Sequence, residues 1–228
     1  VHAAFADPEG DPIGDNHRKV QAYVQYSDGV DGYGHGTHVA GTILGDEPPY
    51  WTFNLRDGNA IGARIVVHDI GTGNGPGITP PAMTAAYQDA YDRGARVHTN
   101  SWGSGGNNCN NRCLDTDAFM RDNPEFLVLF SAGNAGPVGF TINREGNAKN
   151  IVTVGATGNG VLRDDMALGD NGVYFSSRGP AGDGRLKPTV VSPGQDIVSA
   201  LAAGTTMADC QNVDTTHRRC DGNSMATP

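Results

Sequence analysis

Short, continuous apolar runs recur along this chain, and segments of helical periodicity separate them. Residues 64–70 form a β-branched run that stops at Gly71, 96–99 a second, 126–131 a third and 151–155 a fourth. Residues 173–176 and 189–191 read as shorter strands between glycine and proline turns. Across 79–93, Met83, Ala86, Tyr87, Ala90 and Tyr91 fall at helical spacing, with Pro80-Pro81 near the start and Gly94 as the stop. Further helices are expected over 37–44 and 114–121. A strand apolar on both faces must be covered on both faces, and helices between strands imply parallel pairing. The pattern therefore predicts an α/β fold with a mostly parallel central sheet flanked by helices. In such sheets ligands bind beyond the carboxyl ends of the strands, which places Asn100-Ser101-Trp102 and Ala132-Gly133-Asn134 on one edge.

Composition narrows the function classes. With 228 residues the chain is read as one domain, 1–228, long enough to bury a full core. Sixteen basic against 25 acidic side chains give a net charge of -9, and no Lys/Arg cluster exceeds Arg218-Arg219. Nucleic acid and anionic membrane surfaces are poor partner candidates on that ground. No apolar stretch approaches the roughly 20 residues of a membrane span, and no signal peptide is visible at Val1. A start at valine and a stop at Pro228 suggest a piece of a longer protein, truncated at both ends.

The four cysteines lie as two local pairs, Cys109 with Cys113 and Cys210 with Cys220, in polar loops. Disulfides in an oxidising compartment fit this spacing better than zinc, because neither spacing is a zinc knuckle and no histidine stands at finger distance. Free thiols are the remaining alternative.

Three segments carry nucleophile chemistry. Ser224 follows a glycine in Gly222-Asn223-Ser224-Met225-Ala226-Thr227-Pro228. A serine hydroxyl needs a base within hydrogen-bond reach, and His35 or His38 in Gly34-His35-Gly36-Thr37-His38-Val39-Ala40-Gly41-Thr42 serves on chemistry alone. Ser131-Ala132-Gly133-Asn134 offers a side-chain amide for an oxyanion. In this order the segments resemble the subtilisin-type serine endopeptidases (peptidase S8), and the resemblance runs through nearly the whole chain. It includes Phe175-Ser176-Ser177-Arg178-Gly179-Pro180 and Gly184-Arg185-Leu186-Lys187-Pro188, which are read as scaffold. The resemblance implies a three-layer fold, His35 as base with His38 structural, Ser224 as nucleophile and Asn134 as oxyanion donor. It also implies that Ser101, Trp102 and Gly103 pair with an extended polypeptide substrate. Trp102 is left open between a substrate pocket and ordinary packing. Asn223 departs from the family's usual threonine.

The family's Asp-Thr/Ser-Gly motif has no counterpart here. Asp7, Asp11, Asp15, Asp28 and Asp31 precede His35, yet none follows an apolar strand. Phe5-Ala6-Asp7-Pro8 resembles the sequence that follows the motif in some members, so the acid is expected upstream of Val1. A chain without it is expected to be nearly inactive, since losing that role costs about 10⁴ in turnover. The resemblance implies no required cofactor. Structural calcium is common in the family, with 7–15 and Asp164-Asp165 as loops that could contribute but no assignable site. It further implies a secreted or extracytoplasmic setting and a propeptide or accessory domains. The rival reading is a non-catalytic protease-like binding or scaffold domain. An α/β-hydrolase esterase fails on order and motif: histidine precedes serine and the second glycine of Gly-x-Ser-x-Gly is missing.

Overall fold

The computed structural model describes residues 2–50, 52, 54–159 and 173–228. In chain order the elements are β1 (Val20–Gln25), α1 (His35–Leu44), β2 (Ile65–Asp69), α2 (Met83–Asp92), β3 (Val97–Asn100), α3 (Asn111–Asp122), β4 (Leu127–Ser131), β5 (Val152–Thr157), β6 (Val190–Pro193), β7 (Ile197–Ala200), β8 (Cys210–Asn212), β9 (His217–Cys220) and α4 (Asn223–Ala226). They fall into two compact units: 1–81 with 198–219, and 82–197 with 220–228.

The second unit is built on a four-stranded sheet of order β3-β4-β5-β6, parallel throughout. Alternation along β4 decides its two faces. Val128 and Phe130 enter a core with Met83, Tyr87 and Ala90 of α2 and Cys113 and Phe119 of α3. Leu129 points to the other face and packs against the cluster of Val154, Ala156 and Ala226 of α4. Helices thus cover both faces, the three layers that the apolar strands require. Tyr87 is wholly buried, and its hydroxyl meets Thr116 Oγ1 at 2.9 Å, so the ring is buried without an orphaned polar atom.

The first unit carries a parallel pair, β1-β2, whose register runs from Val20↔Ile65 to Gln25↔Asp69. Phe5, Val20, Leu44 and Ala200 form its core, with Ala40, Ile43, Ile65 and Val67 packed around them. Arg18 anchors the loop after α1: its guanidinium meets buried Asp46 at 2.6 Å and donates to the Ala6 carbonyl at 2.8 Å. The strands β7, β9 and β8 form a small third sheet in that order.

The structure departs from the sequence expectation at 173–176. That stretch is a turn, closed by the Ser176 N–H on the Val173 carbonyl at 2.9 Å. Phe175 still packs on the α4 face of the sheet, so its apolar character records packing rather than pairing. Cys109 and Cys113 are disulfide-bonded, as are Cys210 and Cys220, and no described cysteine is free. The calcium loop suggested at Asp164-Asp165 lies outside the described residues.

Glu145 ties the loop after β3 to the second unit. It is almost wholly buried and accepts from Ser104 N at 2.7 Å, Ser104 Oγ at 2.9 Å and Asn110 Nδ2 at 3.0 Å. Burial alone would raise its pKa, but these donors together outweigh it and hold the carboxyl below the ordinary glutamate value. Its stabilising contribution is therefore complete above the unfolded value of about 4.3 and is lost as pH falls through the lower folded value. Glu145→Ala is expected to cost about 3 kcal/mol, measured by urea unfolding at pH 7, and the deficit should shrink in acid.

Candidate active site

In the second unit, the carboxyl ends of β3 and β4 and the start of α4 meet. Ser101 directly follows β3, and Ser224 is the second residue of α4. Ser224 Oγ donates to the Ser101 carbonyl at 2.8 Å, and Ser101 Oγ donates to the Ser224 carbonyl at 2.8 Å. The pair of bonds fixes the serine loop against the end of β3.

Asn134 follows β4 after Gly133, whose φ of 107° suits glycine alone. Its Oδ1 accepts two hydrogen bonds from Asn223, one from the backbone N–H at 2.9 Å and one from Nδ2 at 3.1 Å. Two donors on one atom settle which end of the carboxamide is oxygen, and they turn Nδ2 away, toward solvent. Asn223 is itself completely buried: its Nδ2 also donates to the Gly133 carbonyl at 2.5 Å, and its Oδ1 accepts from Ser176 Oγ at 3.1 Å. Ser177 completes the frame, its N–H bonded to the Gly133 carbonyl at 2.9 Å and its Oγ accepting from Ala135 N at 3.1 Å. Ser176 and Ser177 were visible in the sequence only as scaffold. Their hydroxyls hold the strand-end loop in place.

Trp102 stacks edge-on against Phe130 at 5.2 Å between centroids and packs against the core behind β4. Its backbone carbonyl accepts from Ser131 Oγ at 3.3 Å. Gly103 is exposed, and a side chain there would collide with the Asn143 amide, which is held by the Ser131 carbonyl at 2.7 Å. The segment 101–103 lies just beyond β3, outside the sheet ladders.

In the first unit, His35 is the first residue of α1, entered through Gly34 at φ 88°. Asp31 organises this entry: its Oδ1 accepts from Gly34 N at 2.8 Å, and its Oδ2 accepts from Thr37 N at 2.6 Å and Thr37 Oγ1 at 2.7 Å. Capping of this kind satisfies amide donors that the first helical turn leaves unpaired. Burial pushes the His35 imidazole below its ordinary pKa, and the Asp31 carboxylate pulls it the other way. His38, by contrast, is fully buried, with Nε2 against the Arg218 carbonyl at 3.2 Å and its own carbonyl accepting from Ser199 Oγ at 2.9 Å. Of the two histidines, His38 is the one built into the packing.

Like Asp31, Asp7 and Asp28 are committed to backbone. Asp7 accepts from Arg18 N at 2.7 Å and from Glu9 and Asp11 N, and Asp28 accepts from Gly73 N at 2.7 Å and Val30 N. Sequence reading passed over Asp69, a buried carboxylate at the carboxyl end of β2 that accepts from Gly29 N at 2.7 Å. The signal was present, since an ionisable residue ended an apolar run.

The subtilase family model matches residues 8–228. The chain belongs to the subtilase family. Serine protease/ABC transporter B family protein tagB of Dictyostelium discoideum is 28% identical over all of this chain and 16% of its own length. Serine protease AprX of Bacillus subtilis is 28% identical, covering 90% of this chain and 48% of the relative. The solved structure of sphericase is 26% identical with a TM-score of 0.59, over 86% of this chain and 60% of that one. The subtilase chain therefore spans less than half the length of these two curated relatives.

Asp31→Asn is expected to lower the His35 pKa further, because it removes the carboxylate that favours the imidazolium. An NMR titration of the imidazole reads the shift directly. An unchanged or raised value would contradict the assigned electrostatics.

Proposed function

We propose that this subtilase chain is the catalytic part of a serine endopeptidase, with Ser224 as nucleophile, His35 as general base and Asn134 as oxyanion donor. The observation that carries the reading is the hydrogen-bonded constellation of Ser224, Ser101, Asn134 and Asn223 at the carboxyl ends of β3 and β4. It keeps the nucleophile on a fixed loop and turns one free amide donor outward beside it.

Ser224 Oγ must leave the Ser101 carbonyl, pass its proton to the His35 imidazole and bond to the scissile carbonyl carbon. The carbonyl oxygen then carries the negative charge, and Asn134 Nδ2 donates to it. Collapse expels the amine, which takes the proton from His35, and leaves an ester on Ser224. Water, deprotonated by the same imidazole, hydrolyses that ester. An acid that orients His35 belongs to a segment outside these 228 residues. The reaction calls for no cofactor. Residues 101–103, just beyond β3 and outside the ladders, suit an unfolded polypeptide laid alongside as an added strand.

Several finer points belong to the same reading. Oxidised cysteines favour an extracytoplasmic setting. A propeptide or accessory domains would lie in the remainder of a longer protein. For structural calcium, the loop 7–15 offers Asp7, but both its oxygens already accept backbone N–H groups. The scaffold alternative has against it the retention of serine, histidine and amide together in their motifs.

A fluorophosphonate probe on the longest natural form of the protein tests the assignment. Labelling should vanish in Ser224→Ala and fall sharply in His35→Ala; no labelling of the folded wild type would favour the scaffold. With peptide substrate, Asn134→Ala should lower kcat about 10²–10³-fold, a magnitude established for this donor in a subtilisin. Asn223→Ala frees the Asn134 carboxamide to rotate, so kcat should fall while KM stays near the wild-type value.

A further inference from the structure

Outside the proposed catalytic residues, His2, Glu47 and His217 converge within the first unit. One ligand atom of each lies within 4.8 Å of the others. The three come from the residue before the 3₁₀ turn Ala3–Phe5, the loop just beyond α1 and the first residue of β9. Both imidazoles are almost wholly buried, and the Glu47 side chain is 16% exposed. Glu47 Oε1 is buried with no hydrogen-bond donor, although His217 Nε2 stands 3.2 Å and His2 Nε2 3.8 Å from it.

We propose that His2, Glu47 and His217 form a structural site for a transition metal of the zinc class. Distances decide for a metal over a simple ion pair. Zinc bonds of roughly 2.0–2.2 Å at a tetrahedral angle put neighbouring ligand atoms about 3.3 Å apart. The 3.2 Å contact already has that spacing, and the 3.8 Å contact needs a contraction of a few tenths of an ångström. The His217–Glu47 contact is short, yet it is not directed as a hydrogen bond, as expected when both atoms face a third. Two imidazoles with one carboxylate favour zinc over calcium, which prefers oxygen throughout.

Coordination requires both histidines to move their ring proton from Nε2 to Nδ1. His217 Nδ1 lies 2.7 Å from Arg56 Nη1, which can only donate, with Asp214 Oδ1 at 3.2 Å and Thr216 Oγ1 at 3.0 Å, so in the metal-free arrangement Nδ1 accepts and the ring proton sits on Nε2. A carboxylate behind a metal-binding histidine fixes its tautomer and raises its basicity. Coordination through Nε2 moves the ring proton to Nδ1, where Asp214 accepts it, and Arg56 leaves the ring for the Asp214 carboxylate it already contacts. His2 rearranges in the same way. Its Nε2 now meets the Thr216 carbonyl at 2.6 Å, and its Nδ1 accepts from Ala4 N at 3.0 Å. Coordination moves the ring proton to Nδ1 and gives up the Ala4 contact, one hydrogen bond exchanged for metal–ligand bonds. The Thr216 carbonyl or a water supplies the fourth position.

The protein, purified without a histidine tag and stripped with chelator, is titrated with Zn²⁺ by calorimetry and with Co²⁺ by visible absorption. The expected result is one ion per chain, intense tetrahedral Co²⁺ bands and a rise in Tm with Zn²⁺. Asp214→Asn should weaken affinity about 10–100-fold. Glu47→Gln and His217→Ala should abolish the Tm rise while the metal-free variants keep the wild-type circular dichroism spectrum. Absence of stoichiometric binding, weak octahedral bands, or binding undiminished in Glu47→Gln would overturn the site. None of these readouts depends on peptidase activity.

Discussion

The carboxamide oxygen of Asn134 accepts twice from one residue, Asn223, and the second unit's site geometry hangs on that arrangement. An exposed amide at a strand end would otherwise rotate freely between two orientations. Oxygen and nitrogen are fixed here because Asn223 can offer a backbone and a side-chain donor together. Asn223 can do so because it is buried and its remaining acceptor is taken by Ser176 Oγ. A threonine at this position has one hydroxyl and could not make the same set of bonds. The departure from the family's motif is thus a different way of presenting one donor to solvent, built from α4, the β4 loop and the turn at 173–176.

The first unit solves a related problem with a charge. His35 sits at the opening of α1, where amide donors are unpaired, and burial depresses its pKa. Asp31 both satisfies those donors and opposes the burial effect electrostatically. A neutral cap such as serine would supply the hydrogen bonds without the charge. The carboxylate therefore links the local stability of the helix to the protonation of its first residue, and neither can be altered alone.

Much of this could be read before any coordinates. Buried parallel strands announce themselves as β-branched runs, so β2, β3, β4 and β5 fell within a residue or two of the expected places. β1 escaped because Gln21 and Gln25 interrupt its apolar pattern and Tyr23 is 38% exposed. β8 and β9 escaped because they are short and polar, Cys210–Asn212 and His217–Cys220 having no apolar run. The stretch 173–176 failed in the opposite direction: Phe175 is apolar for packing, while its carbonyl bonds Gly136 N rather than a neighbouring strand. At the site, the residue types of Ser224, His35 and Asn134 were legible as motifs. The direction of the Asn134 amide was not, because it depends on Asn223 and Ser176, which are 89 and 42 positions away and come together only in the fold.

The carboxylates around His35 bear on how the base is oriented. A triad acid must accept from the imidazole Nδ1–H and remain ionised while the imidazolium forms. Asp7, Asp28, Asp31 and Asp69 each accept from backbone N–H groups of their own unit, and those bonds hold turns that the unit needs. Turning one toward His35 would orphan a backbone donor at a cost of about 1–3 kcal/mol, before any gain at the imidazole. Asp69 is poorer still, because burial raises its pKa and favours the neutral acid. Order along the chain adds to this, since Asp69 follows His35 whereas the family's acid precedes it. A carboxylate from outside the 228 residues meets none of these objections, and for that reason the proposed triad draws its acid from there.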